Sequence, residues 1–110
     1  MDIQQLKYFS EICKCGSFSK AAENLYISQQ GLSMAITRLE TELSCRLFRR
    51  TSKGIFLTED GEYLLRECHD ILERFEACEH HFHSGAPKEQ PVNIAATYGA
   101  LAEFAAELIL

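Results

Sequence analysis

The spacing of apolar residues predicts a mostly α-helical protein with one small β-hairpin. Three observations carry that expectation. Capped segments with apolar residues three and four apart fill residues 2–43 and 59–83. Two short β-prone runs, Leu47-Phe48-Arg49-Arg50 and Ile55-Phe56-Leu57, flank the turn-forming Thr51-Ser52-Lys53-Gly54. The 110 residues are 46% hydrophobic and 25% charged, enough apolar content for one core and too much for a disordered chain.

The elements follow in order. Asp2 with Gln5 reads as a cap and capping box, and Ile3, Leu6, Phe9, Ile12 and Cys13 recur at helical spacing until Gly16. Ser17 starts a short second helix whose small apolar face is Ala21, Ala22 and Leu25. Tyr26-Ile27 is a turn, and Ser28 caps a third helix with Leu32, Ile36, Leu39 and Leu43 as its stripe. Gly31 costs that helix about 1 kcal/mol against alanine; its expected use is room for the second helix or for a nucleic-acid backbone. The hairpin with its basic tip comes next, and Thr58 caps a long helix with Glu59, Asp60 and Glu62 in its first turn.

That long helix has the cleanest pattern in the chain. Gly61, Leu64, Cys68, Ile71, Phe75, Cys78 and Phe82 are spaced alternately three and four apart, an a/d seam over three heptads, widened by Leu65 and Leu72. Residues 59–83 would extend roughly 37 Å at ~1.5 Å per residue. Such a stripe calls for a second helix, expected from a second copy of the chain, with packing onto the same chain as the alternative. The dimerisation residues expected are Leu64, Leu65, Cys68, Ile71, Leu72, Phe75, Cys78 and Phe82. Residues 84–91 hold both prolines and read as a hinge. Val92–Thr97 reads as a strand and Ala100–Leu110 as a helix, so 92–110 looks like the start of a truncated α/β domain.

Charge is divided unevenly. Residues 1–58 hold eight Lys/Arg against five Asp/Glu, and residues 59–110 hold three against eleven. A polyanion partner is therefore expected for the first part only. The five cysteines, at 13, 15, 45, 68 and 78, form no Cys-x-x-Cys pair and suggest no disulfide framework. Without a signal peptide or an apolar span, the economical expectation is a reduced, cytoplasmic protein with no membrane association. Cys78, His80, His81 and His83 are zinc-type ligands, but the seam explains Cys78 and the helix C-terminus explains the histidines; no metal and no cofactor is expected. Gly-x-Gly-x-x-Gly, P-loop, His-Glu-x-x-His and Gly-x-Ser-x-Gly motifs are all missing, so no enzyme is expected.

A short helix, a tight turn and a capped helix make a helix-turn-helix pattern. In that motif the N-terminal residues of the second helix enter the major groove of double-stranded DNA. Here they are Ser28, Gln29, Gln30, Ser33 and Met34, with Thr37 and Arg38 a turn further. Glutamine reads adenine edges, serine serves base or phosphate, and a methyl group meets the thymine methyl. Ser17, Ser19 and Lys20 open the preceding helix, whose amides favour a phosphate. Arg49, Arg50, Thr51 and Lys53 of the hairpin would lie along the backbone or in the minor groove. A solvated amphipathic face shows the same residue types, and a coiled-coil interaction module without specific DNA binding remains the alternative.

The residues also carry a family resemblance. Leu6-Lys7-Tyr8-Phe9, Gly16-Ser17-Phe18-Ser19-Lys20-Ala21-Ala22-Glu23-Asn24-Leu25, Ile27-Ser28-Gln29-Gln30-Gly31-Leu32-Ser33, Ile36-Thr37-Arg38-Leu39-Glu40-Thr41-Glu42-Leu43, Leu47-Phe48-Arg49-Arg50 and Leu57-Thr58-Glu59-Asp60-Gly61 together resemble the start of bacterial LysR-type transcriptional regulators. The likeness covers about residues 2–82 without a gap, and 92–110 resemble the opening of that family's effector domain less specifically. It implies a winged helix-turn-helix over 1–58, a dimerising linker helix over 59–83 paired antiparallel with its mate, and an inverted-repeat operator. It places a small-molecule effector, and the contacts of a tetramer, only in a domain this chain lacks. Gln30 stands where the family usually has Pro, Gly31 where Ala is common, Met34 near a usual Arg, and Arg49 near a frequent acidic residue or Lys. These departures bear on the target sequence rather than on DNA binding itself.

Overall fold

The computed structural model describes residues 1–84. They form α1 (Ile3–Cys15), α2 (Phe18–Leu25), α3 (Gln29–Leu43), β1 (Phe48–Thr51), β2 (Gly54–Leu57) and α4 (Glu59–His83). Met1–His80 is one compact unit. Apart from Ser84, the hinge expected at 84–91 and the strand and helix expected over 92–110 lie outside the described residues.

The helix starts follow from local chemistry. Asp2 Oδ1 accepts the Gln5 N–H at 2.7 Å and Gln5 Oε1 accepts the Asp2 N–H at 2.9 Å, a complete capping box. Ser17 Oγ accepts the Lys20 N–H and Ser28 Oγ accepts the Gly31 N–H. A Cβ on residue 31 would fall 3.0 Å from Ser28 Oγ. Of the two uses the sequence suggested, room for α2 is not what the space serves, since a side chain there would crowd the helix's own cap; the exposed outer side of Gly31 stays open to a nucleic-acid backbone. The helix ends are less uniform. Gly16 closes α1 with φ 68°, but Tyr26 (φ 58°) and Ser44 (φ 56°) close α2 and α3 in the left-handed region without glycine, each against a steric cost of about 1–2 kcal/mol.

α1 packs on both α2 and α3, and α2 on α3. Leu6, Phe9 and Ile12 of α1, Phe18, Ala21 and Ala22 of α2, and Leu32, Ile36 and Leu39 of α3 are buried between them. Leu43, expected to continue that stripe, is exposed because α3 ends there, past the edge of the core. The two alanines remove side-chain bulk where helices must approach. Leu47 and Phe48 close the core from the hairpin side, and the Phe48 ring meets Phe9 and Phe18 at 5.3 and 5.5 Å between centroids.

β1 and β2 pair antiparallel, Phe48 with Leu57, Arg49 with Phe56, Arg50 with Ile55 and Thr51 with Gly54. Alternation along a strand splits the hairpin into two faces. Phe48 and Arg50, with Ile55 and Leu57 opposite, look toward the helices, while Arg49 and Phe56 look away.

The long helix departs from expectation. Thr58 caps it, its hydroxyl accepting the Gly61 N–H and donating to the Arg46 carbonyl. Its first turns, however, are built into the head. A Cβ on Gly61 would lie 2.2 Å from the Leu47 carbonyl oxygen. Leu64 is 7% exposed and Cys68 is fully buried, its thiol donating to the Leu6 carbonyl at 3.3 Å. Leu65 and Leu72 pack partly buried against the same core. Leu64 and Cys68, expected in a seam with a second chain, are thus core residues of this one, because α1 and the hairpin already offer the apolar surface they need. Further along, Ile71 is 36% exposed, Cys78 is exposed, and Phe75 is half-buried with the Lys7 ammonium 5.4 Å from its ring centroid. Phe82, on the final turn, is exposed.

The cysteines are free. Cys13, Cys15 and Cys45 are half-buried, and burial pushes the Cys13 thiol up to about 12, with the neighbouring Cys68 adding to it. Cys15 sits beside Glu11 and Asn24.

Candidate nucleic-acid interface

Three parts of the head meet around one surface: the first turns of α2 and α3, and the inner face of the hairpin. An open cleft there is lined by Ser17, Ser19, Gln29, Arg50 and Ile55, among others. A second groove runs between α3 and the hairpin past Ser33, Thr37, Glu40, Arg46 and Arg50. Phe18 lines both.

The N-terminal residues of α3 lie at the surface. Ser28, Gln29, Gln30, Met34, Thr37 and Arg38 are exposed and Ser33 is half-buried in the second groove. Several hydroxyls are already engaged. Ser17 and Ser28 accept their caps, which leaves each O–H free to donate outward. Thr37 donates to the Ser33 carbonyl at 2.9 Å, so it turns a methyl group and a lone pair outward. Ser19 donates to Gln29 Oε1 at 2.9 Å, tying the first turns of the two helices together. Lys20 is exposed, with a 3.8 Å ion pair to Glu23 on the surface that is worth little in water.

The hairpin arginines have different settings. Arg50 stacks its guanidinium 4.2 Å from the centre of the Phe18 ring, at the mouth of both grooves. Arg49, opposite Phe56, is on the outer face. Lys53 sits in the turn. Thr51, expected to touch the nucleic acid, is committed to closing that turn: its hydroxyl donates to the Gly54 carbonyl and accepts the Lys53 N–H.

Two residues that sequence reasoning did not single out hold this surface together. Glu40 Oε2 accepts the N–H of Leu47 at 2.7 Å and of Phe48 at 3.5 Å, and Arg46 Nε lies 3.5 Å from the same oxygen. α3 is thereby stapled to the start of β1. Nothing local marks Glu40, which reads as one more polar residue on an amphipathic helix. Phe18 as a platform for Arg50 is likewise visible only once the hairpin is folded back. Among the described residues no group of three or more His, Cys, Asp or Glu side chains is placed to hold a metal ion.

A helix-turn-helix with a free second-helix N-terminus and a basic hairpin beside it is a winged helix-turn-helix. Residues 3–62 match the family model described as bacterial regulatory helix-turn-helix protein, lysR family, and the chain belongs to that family. It is 39% identical over 72 residues to the HTH-type transcriptional regulator TfdT of Cupriavidus pinatubonensis, a match covering 66% of this chain and 32% of that protein. It is 40% identical over 76 residues to the nitrogen assimilation regulatory protein nac of Klebsiella aerogenes, covering 69% of this chain and 25% of that one. The chain thus spans a third or less of the length of these relatives. Among solved structures, the BenM_DBD/catB site 1 DNA complex superposes with a TM-score of 0.75 at 29% identity, over 81% of this chain and 100% of that chain. The CbnR_DBD–DNA complex gives 0.72 at 31% identity, over 79% and 100%.

Proposed function

We propose that this chain is the DNA-binding part of a transcription regulator that reads an inverted repeat as a homodimer. The observation that carries the reading is the free first turn of α3, where Gln29, Gln30, Ser33 and Met34 stand beside a hairpin bearing Arg49, Arg50 and Lys53. Ser17, Ser28, Lys20 and Arg38 supply phosphate contacts and set the register, and the α3 side chains supply base contacts. Domain 1–58 does the reading and 59–83 the pairing. The dimer surface is the later part of the α4 stripe, Ile71, Phe75 and Cys78, rather than the whole seam. The relatives named as DNA complexes support the same use of this surface. On this reading the protein works in the cytoplasm, is not an enzyme, needs no cofactor, and responds to a small molecule only through sequence beyond residues 1–84.

Selection from a random double-stranded DNA library, with the winners measured at two salt concentrations, tests the proposal. An enriched inverted repeat is expected, with log affinity falling against log salt by about 0.9 per phosphate neutralised. No DNA binding at any salt would overturn it in favour of a coiled-coil interaction module.

A further inference from the structure

The gap between α3 and the hairpin holds an anion where DNA would place another. A helix in the major groove and a hairpin at the next minor groove stand on either side of one sugar-phosphate strand, since that strand is what separates the two grooves. The gap that would receive it runs past Ser33, Thr37, Arg46 and Arg50, and also past the Glu40 carboxylate. Glu40 is fixed there, because its Oε2 accepts the Leu47 and Phe48 amides. Two anions in one groove repel unless a cation stands between them.

Arg46 is placed to be that cation. It lies in the loop between α3 and β1, and it lines both this gap and the groove that continues it past Thr41 and Ser44 at the end of α3. Its Nε is 3.5 Å from Glu40 Oε2, yet its side chain is 75% exposed where that of Glu40 is only 14% exposed. With the Nε edge toward the carboxylate, the two terminal nitrogens of the guanidinium remain for a second anion on the open side. We propose that Arg46 is a phosphate contact of the head, bridging the Glu40 carboxylate and the phosphodiester strand that passes between α3 and the hairpin. The inference deepens the DNA-binding reading above and rests on it.

The test compares the whole chain with Arg46→Gln and Arg46→Lys on the sequence that library selection returns. Arg46→Gln should weaken binding to all sequences alike and leave the selected motif unaltered. The slope of log affinity against log salt should become shallower by about 0.9 for each head bound, and Arg46→Lys should restore most of it. The urea midpoint should stay in place, since an exposed ion pair adds little to stability. Replacing phosphates of the selected DNA one at a time by uncharged methylphosphonates locates the contact. At one site in each half, between the bases α3 reads and the adjoining minor groove, the unchanged protein should lose affinity and Arg46→Gln should lose none further. An unaltered salt slope in Arg46→Gln, or equal losses for both proteins at every methylphosphonate, overturns the assignment and leaves Arg46 a surface partner of Glu40. So does an altered motif, which would make Arg46 a base contact. If the unchanged protein enriches no sequence, the DNA-binding reading falls and takes this with it; the other adverse outcomes remove the Arg46 assignment alone.

Discussion

The two halves of the α4 stripe share one spacing and have different fates. Gly61, Leu64 and Cys68 are buried in the head, while Ile71 and Cys78 are exposed and Phe75 is half-covered. A heptad pattern reports that a helix has an apolar side. It does not report whose surface covers that side. Here the head supplies the cover for the first turns, and beyond the reach of α1 the same stripe emerges unpaired.

That contrast is testable. The largest effect on stability is expected from Leu64→Ala, which should cost about 2–5 kcal/mol, as other buried leucines do, and leave the association state of the folded fraction unchanged in light scattering. Gly61→Ala follows at about 1–3 kcal/mol, since its methyl group meets the Leu47 carbonyl and the helix must shift; a urea midpoint equal to that of the unchanged protein would refute the close approach. Ile71→Asp belongs to the other half. It should turn dimer into monomer and weaken DNA binding, yet move the unfolding midpoint of dilute protein by only about 0.5 kcal/mol. A variant that still scatters as a dimer would show that Ile71 is not in the interface.

The smallest effect is chemical. Burial holds the Cys13 thiol protonated up to about 12, so in the monomeric Ile71→Asp variant alkylation at pH 8 should reach Cys78 and spare Cys13 and Cys68 until the head unfolds. The sign of the linkage follows. The folded state keeps a proton that the unfolded chain releases near the ordinary thiol value of 9.0, so this contribution to stability is full below 9.0 and is lost as pH rises toward about 12. Mass spectrometry of labelled peptides checks both statements.

Much of the fold was readable because it is written locally. The caps at Asp2, Ser17, Ser28 and Thr58 depend on residues no more than three apart, and the hairpin on a two-residue turn. The free face of α3 was readable from its period. What escaped depends on neighbours distant in sequence. Tyr26 and Ser44 take left-handed backbones that glycine would have announced, and the turns that require them are set by how α2 and α3 exit the core. Ser19 reaches Gln29, ten residues on, and Arg50 finds Phe18 only through the folded hairpin. Thr51 shows the converse, a polar residue in a basic loop whose hydroxyl also serves the loop itself.

The Glu40 carboxylate gives the head an unexpected mechanical property. By gripping the first two amides around the start of β1 while sitting on α3, it removes the hinge that would let the hairpin swing independently of the helix. The gap between the two is then a gauge of fixed width. A duplex that did not match such a gauge would have to bend or change its groove width to be held, so the stiffness of its base steps would enter the affinity even at positions no side chain touches.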